Sequence, residues 1–416
     1  MPTQTALADL TTLPVPADVL ALDASDPLAH KRDEFLLPDG VIYLDGNSLG
    51  ALSRRVVQRV RHVTEEEWGR ALIGSWTSGA QEGRDWMALP DRVAAKIARL
   101  IGAQPDEVAV GDSTSVNTFK VLAAALGVAG PERRVILTDA DNFPTDLYVA
   151  QGLTALLGGG YELRRVPADE VAAHLRPDVA AVLLTQVDYR TGRCLDLAAI
   201  SAQARAAGVL TVWDLAHSAG AFPVDLNGAG ADFAVGCGYK YLNGGPGAPA
   251  FLFAAQRWHA AAPVALSGWM GHADPFEMAR DYVPAPGARR FVTGTPMVLS
   301  LSALDAALDA FADVDLHALR TKSLALTDTF MALLDPVAER LALTLVTPRD
   351  PAQRGSQVSY RHPQAREVMT ELIAAGLVGD FRTPDILRFG FTPLYHSFAD
   401  VYRAARGVQA ILEARA

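Results

Sequence analysis

Cysteine is almost absent: the 416 residues hold two, Cys194 and Cys237, far apart and in no metal-ligand or redox spacing. That excludes a disulfide framework and a cysteine-built metal centre, and it fits a reducing compartment. Positive charge is in deficit, with 37 Lys and Arg against 47 Asp and Glu and a net charge of −10, so a uniformly basic nucleic-acid binder is excluded. No apolar run reaches the ~18 residues that a membrane-spanning helix needs. The N-terminus lacks the basic segment and apolar core of a secretory signal, so the expected location is the cytoplasm. There is no internal repeat and no low-complexity tract. No G-x-x-x-x-G-K-[ST] string occurs and no G-x-G-x-x-G opens a helix, which leaves a nucleotide P-loop and a dinucleotide site without support. No metal site is expected. What is present is 50% hydrophobic and 20% charged residues, a globular balance in a chain long enough for two or three units.

Patterning divides the chain. Residues 41–44 read as a short strand stopped by Asp45-Gly46-Asn47, a strong turn signal. Residues 56–68 and 89–101 have helical spacing. From about residue 108, short β-rich runs (107–110, 134–138, 179–186, 209–213, 232–235, 250–253) alternate with helical stretches (115–126, 145–157, 197–207). Such alternation predicts parallel βαβ units, an open α/β sheet, and ligands at the carboxyl ends of its strands. Beyond Pro296 a long Ala/Leu helix (299–311), further helices, and strands near 344–346 and 357–360 read as a smaller α+β domain, with a hinge near 296–320.

Chemistry concentrates at two neighbouring strand ends. Val209-Leu-Thr-Val-Trp-Asp214-Leu-Ala-His217 ends one strand on a carboxylate. Asp232-Phe-Ala-Val-Gly-Cys-Gly-Tyr239-Lys240 delivers a lysine to the same rim. Singly, an aspartate there caps a helix and a lysine is solvated. Together they suit pyridoxal 5′-phosphate (PLP): the lysine amine condenses with the aldehyde, and the carboxylate keeps the pyridine nitrogen protonated. Gly111-Asp-Ser-Thr114-Ser115-Val-Asn117, between a strand and a helix, offers hydroxyls and free N–H groups for a phosphate, although an ordinary N-cap looks the same. Phe143, in Asp141-Asn-Phe-Pro-Thr-Asp146, is an aromatic that either stacks on a planar ring or simply packs.

With these strings in place, the chain resembles the fold-type-I PLP enzymes, and specifically the kynureninase family. The resemblance rests on Tyr43-Leu-Asp-Gly-Asn-Ser-Leu-Gly50, Phe143-Pro-Thr-Asp146, Trp213-Asp-Leu-Ala-His-Ser-Ala-Gly220, Gly238-Tyr-Lys-Tyr-Leu-Asn-Gly-Gly-Pro-Gly247 and Arg388-Phe-Gly-Phe-Thr-Pro-Leu-Tyr395. It implies a large domain with a mostly parallel seven-stranded sheet flanked by helices (68–297), a smaller α+β C-terminal domain (298–416), and an N-terminal segment (1–67) packing on the small domain and the active site. It implies a homodimer that hydrolyses L-kynurenine to anthranilate and L-alanine.

The implied roles follow residue by residue. Lys240 would carry the cofactor and shuttle the Cα proton. Asp214 would pair with the pyridine nitrogen, with His217 beside it. Thr114, Ser115 and Tyr239 would hold the phosphate, and Tyr239 is a candidate proton donor. Phe143 would stack on the ring, with Asp146 and Thr185 near its polar edge, and Pro144 and Thr145 would also bind the cofactor. Trp269 and Thr295 would cross over from the partner subunit. Arg388 would clamp the substrate carboxylate, where a planar guanidinium forms two parallel bonds. Ser48 and Trp76 would line the substrate pocket. Family members acting on 3-hydroxykynurenine place His and Asn where this chain has Ser75-Trp76 and Thr295, so the unhydroxylated substrate is expected to be preferred.

The rivals are another fold-type-I enzyme, cysteine desulfurase-like or an aminotransferase, and an inert protein of the same fold. A desulfurase needs a catalytic cysteine in its C-terminal third, and none follows Cys237. The retained Asp214 and Lys240 argue against an inert module.

Overall fold

The computed structural model describes residues 10–78 and 85–415. Residues 1–9, on which the reading of the N-terminus rested, and 79–84, inside the expected large domain, lie outside the described residues. In chain order the elements are α1 (Ala17–Ser25), β1 (Ile42–Tyr43), α2 (Arg54–His62), α3 (Leu89–Leu100), β2 (Val108–Val110), α4 (Thr114–Ala129), β3 (Val135–Asp139), α5 (Pro144–Leu157), β4 (Glu162–Val166), β5 (Val179–Thr185), α6 (Leu197–Ala206), β6 (Leu210–Asp214), α7 (Leu226–Ala229), β7 (Phe233–Gly236) and β8 (Phe251–Ala254). The C-terminal part adds α8 (Val298–Leu308), α9 (Leu316–Ala338), β9 (Thr344–Leu345), β10 (Gln357–Arg361), α10 (Ala365–Ala374), β11 (Leu377–Val378), β12 (Asp380–Arg382), β13 (Ile386–Gly390) and α11 (Phe398–Glu413).

The main sheet has seven strands in the order β2-β8-β7-β6-β5-β3-β4. β5 and β6 are buried along their whole length. Their side chains alternate between two cores, Val182 and Leu184 to one face, Ala181 and Leu183 to the other. A strand covered on both faces reads as a continuous apolar run, which is why both were visible in the sequence. β4, with the sequence Glu-Leu-Arg-Arg-Val, was not; it is a half-exposed edge strand blunted by charge. The run at 250–253 needs a correction. It was grouped with the parallel strand–helix units, but β8 is antiparallel to both β7 and β2. No α-helix lies between β7 and β8 to carry the chain back across the sheet.

A second core lies on the four-stranded sheet β12-β13-β10-β9 and on α9, α10 and α11. The sequence drew the boundary at residue 298. However, Leu301, Leu304, Leu308, Phe311 and Leu319 pack into the core of the large sheet, and the second core takes over at Leu326, within α9. α8 docks on α2 and α3, with its buried Asp305 paired to Arg92 and Lys96 of α3, so it stays with the first unit. The N-terminal segment joins both cores: Leu10, Val19, Ile42 and Leu44 pack into the second, and Leu28, Phe35 and Ala51 into the first.

The turn after β1 positions the site. Leu44 N donates to Val378 O at 2.6 Å and its carbonyl accepts from Gly390 N, fixing the turn to the small sheet. At the far end, Gly50 N donates to Tyr239 O at 2.7 Å. A Cβ at Gly50 would lie 2.3 Å from Lys240 O, so only glycine allows this approach.

Candidate active site

β3, β5, β6 and β7 run parallel, so their carboxyl ends share one rim. Ten residues singled out from the sequence line a single cavity of about 640 Å³ there: Thr114, Ser115, Phe143, Thr145, Asp146, Thr185, Asp214, His217, Tyr239 and Lys240. At its centre Lys240 Nζ lies 3.0 Å from His217 Nε2 and 6.0 Å from the centroid of the Phe143 ring. Burial, reinforced by the cations Lys240, Arg388 and Arg382, holds His217 well below the usual histidine range. A neutral imidazole accepts from the lysine through Nε2 and carries its own hydrogen on Nδ1. That Nδ1 is buried with no hydrogen-bond partner among the described residues.

Asp214 is 3% exposed, and its Oδ1 accepts from Ala216 N at 2.8 Å. Burial raises its pKa, with Lys240 and the Ala216 N–H acting the other way. Asp146 is also buried, and burial with the neighbouring Asp214 charge lifts its carboxyl well above the usual range. Two carboxyls this close cannot both ionise, so Asp146 holds the proton and Asp214 the charge. Thr185 Oγ1 donates to Asn142 Oδ1 and lies 3.4 Å from Asp146 Oδ2.

The opposite end of the cavity is the start of α4. Ser113 caps the helix, its Oγ accepting from Val116 N at 3.3 Å. The N–H groups of Thr114 and Ser115 open the helix without an intrahelical acceptor, a geometry suited to an anion. Asp112, in the left-handed region at φ 54°, borders the same space, but the buried Lys120 neutralises it at 2.5 Å. A lysine amine, a buried carboxylate, an orphaned imidazole nitrogen, a half-exposed phenyl ring and a helix N-terminus line one space. This donor set fits PLP.

A second cluster lies beside the cavity without lining it. Arg388 is 1% exposed. Its Nε donates to Asp380 Oδ1 at 2.7 Å, its Nη2 to Asp380 Oδ2 and to Ser48 Oγ, and its Nη1 to Tyr189 O at 2.6 Å. Arg382 Nη2 donates to the same Asp380 Oδ2 at 2.7 Å. The arginine expected to meet a substrate carboxylate therefore already holds a protein carboxylate on one edge. Asp380 and Arg382 were missed because β12 is three residues long; the signal was an Asp-x-Arg string one short turn before Arg388. Tyr189 and Met297, which line the cavity, were also missed, although Tyr189 follows β5 as the other rim residues follow their strands.

Besides Arg388 and Ser48, four more expected residues do not line the cavity. Pro144 opens α5 behind Phe143. Trp76 packs edge-on against Trp86, ring centroids 5.5 Å apart. Trp269 is 38% exposed and packs on Phe276, and Thr295 is exposed.

Residues 319–408 match the family model described as the kynureninase C-terminal domain. The chain is 70% identical over 397 residues to a kynureninase from Deinococcus radiodurans, covering 95% of this chain and 96% of that one. It is 52% identical over 404 residues to a kynureninase from Burkholderia mallei, covering 96% of each. Among solved structures it resembles the cysteine desulfurase CsdA from Escherichia coli, with a TM-score of 0.75, 23% identity, and coverage of 93% of this chain and 98% of that one. That last likeness is one of fold.

Proposed function

The chain belongs to the kynureninase family, and from that premise we propose that it hydrolyses L-kynurenine to anthranilate and L-alanine, cleaving the Cβ–Cγ bond, with pyridoxal 5′-phosphate as cofactor. The observation that carries this reading is the meeting of Lys240, His217, Asp214, Phe143 and the α4 N-terminus around one cavity. When bound, the cofactor supplies the electron sink that lets a bond in the substrate amino acid break. Lys240 Nζ would hold it and would move the substrate Cα proton. Asp214 would keep a proton on the ring nitrogen, with the neutral Asp146 beside it. Thr114, Ser115 and Tyr239 would hold the phosphate, and Phe143, Pro144, Thr145, Thr185 and His217 would border the ring. Tyr239, whose hydroxyl is pushed up to about 12 by burial, is a proton donor and not a base. Arg388 and Ser48 take the substrate α-carboxylate, and Trp76 borders the aryl side.

We assign the exposed Trp269 and Thr295 to the pocket of a second copy, in a homodimer with closed two-fold symmetry. Two cysteines with no disulfide between them suit the cytoplasm. The desulfurase reading fails on chemistry. Burial pushes the Cys194 thiol up to about 11 and raises the fully buried Cys237 as well, so neither is poised as a nucleophile. The test is incubation of the PLP-loaded protein with L-kynurenine and detection of anthranilate and alanine in equal amounts. Absence of anthranilate overturns the reading.

A further inference from the structure

Asp45 lies at the junction of β1 with the small sheet, paired in a parallel bridge with Gly390 two residues beyond Arg388. Its Oδ1 is buried and accepts no hydrogen bond among the described residues. An ionised carboxylate oxygen in that position costs far more than a protonated one. Asp380 is the acidic neighbour; Arg388 faces Asp45 from β13 and Arg382 from β12. The remaining titratable groups facing it are Tyr43 on β1, Tyr241 after β7 and Tyr395 before α11, and burial pushes each of these hydroxyls upward, so they stay neutral through the physiological range. The cluster therefore has two fixed positive charges, one carboxylate locked between them, and one carboxyl whose proton is free to come and go.

We propose that Asp45 is a positioning residue that sets the charge of the carboxylate-binding subsite at Arg388. With its proton on, Arg382 and Arg388 together face only Asp380, and the cluster keeps one net positive charge for an incoming organic carboxylate. With the proton off, that charge is cancelled and the carboxylate binds more weakly. The inference rests on the reading of Arg388 as the substrate-carboxylate site. Burial and the Asp380 charge lift Asp45 to about 7, with Ser48 and Arg388 acting the other way, so the change falls near neutrality. The sign follows from linkage: a ligand that prefers the protonated form loses affinity as pH rises through that value.

The experiment uses the PLP-loaded protein with two substrate-shaped inhibitors that have no amine, 4-oxo-4-phenylbutanoate and its carboxamide, competed against L-kynurenine from pH 6 to 8.5. The acid is expected to bind more tightly than the amide, its Ki rising about tenfold across this range while the amide's stays within about twofold. In Asp45→Asn, which fixes the neutral form, the acid's Ki is expected to be flat. An acid that outbinds the amide with no pH trend in the wild type, or a trend that survives in Asp45→Asn, overturns the role of Asp45 and leaves Arg388 in place. An acid that binds no better than the amide overturns the Arg388 reading itself. If Asp45→Asn does not fold, the wild-type acid-against-amide comparison decides alone.

Discussion

Lys240 Nζ and His217 Nε2 lie 3.0 Å apart, and the imidazole is the lysine's only hydrogen-bond partner among the described residues. A half-buried lysine beside a neutral base, with no carboxylate in salt-bridge contact, is held for use and not for stability. Lys240→Ala is expected to retain the fold and lose kcat by about a thousandfold or more. Borohydride reduction of the wild type followed by peptide mapping should place the pyridoxyl label on Lys240. A label on any other lysine defeats the assignment.

Asp214→Asn tests the partner of the ring nitrogen. The amide keeps the shape and still accepts from Ala216 N, but it carries no charge to balance a protonated ring. The expected loss of transition-state stabilisation is ~2–4 kcal/mol, seen as slower exchange of the substrate Cα proton. An unchanged exchange rate removes this role from Asp214.

The turn from Asp45 to Gly50 ties the small sheet to the lysine loop, which makes Gly50 a sensitive point. A methyl group there would meet Lys240 O at 2.3 Å and Asn243 Oδ1 at 2.4 Å, both part of a tight turn. Gly50→Ala is expected to cost about 1–3 kcal/mol of stability and to lower kcat/KM by displacing Lys240. Gly152→Ala is the control. It lies inside α5 with open space at its Cβ and should stabilise by ~0.5–1 kcal/mol. Thermal melts and kinetics on both variants decide it; a Gly50→Ala protein with wild-type values shows that the contact is soft.

Much of this site was legible because open parallel sheets deliver their functional groups at strand ends. Once 179–186, 209–213 and 232–235 were read as strands, Thr185, Asp214 and Lys240 had to share a rim. The arginine cluster was legible only in part. Ser48 and Arg388 stood out through their motifs, but Asp380 and Arg382 sit on a three-residue strand, β12, and no periodicity links them to Arg388. The extent of the second core was obscured for a similar reason: α9 is one continuous helix whose two ends pack into different cores, so no composition break marks the change.

His396 supplies a prediction about acid stability. It is 2% exposed, its Nδ1 accepts from Thr392 N at 2.8 Å, and its Nε2 lies 2.7 Å from Tyr43 O. Burial pushes it down to about 4, with Asp400 the main opposing charge. The unfolded chain binds this proton below its ordinary pKa near 6.5, and the folded chain only near 4. Stability is therefore present above about 6.5 and lost as pH falls towards 4, by ~2 kcal/mol at pH 5. Denaturant midpoints at pH 7.5 and 5, compared with those of His396→Gln, measure it. An equal acid loss in the variant assigns the effect to other groups.

Substrate choice depends on what meets the aryl ring. L-Kynurenine is expected to be preferred over its 3-hydroxylated form. A hydroxyl carried into the pocket without a partner loses its water hydrogen bonds at a cost of ~1–3 kcal/mol. That is a roughly ten- to hundredfold handicap in kcat/KM. The apolar groove of Trp68, Trp86 and Met297 continues from the cavity at Met297 and is walled by indole and aliphatic side chains, which provide area and few polar contacts. Trp76 is turned onto Trp86 and Thr295 is exposed, so neither lines the cavity within one chain, and the double variant tests whether they reach the ring in the proposed homodimer. The measurement is kcat/KM for both substrates, in the wild type and in the double variant Trp76→His with Thr295→Asn. A shift of the ratio towards the hydroxylated substrate in the double variant supports the assignment. Equal values in the wild type, or an unmoved ratio in the variant, remove these two positions from the choice and leave an ordered water as the hydroxyl's partner.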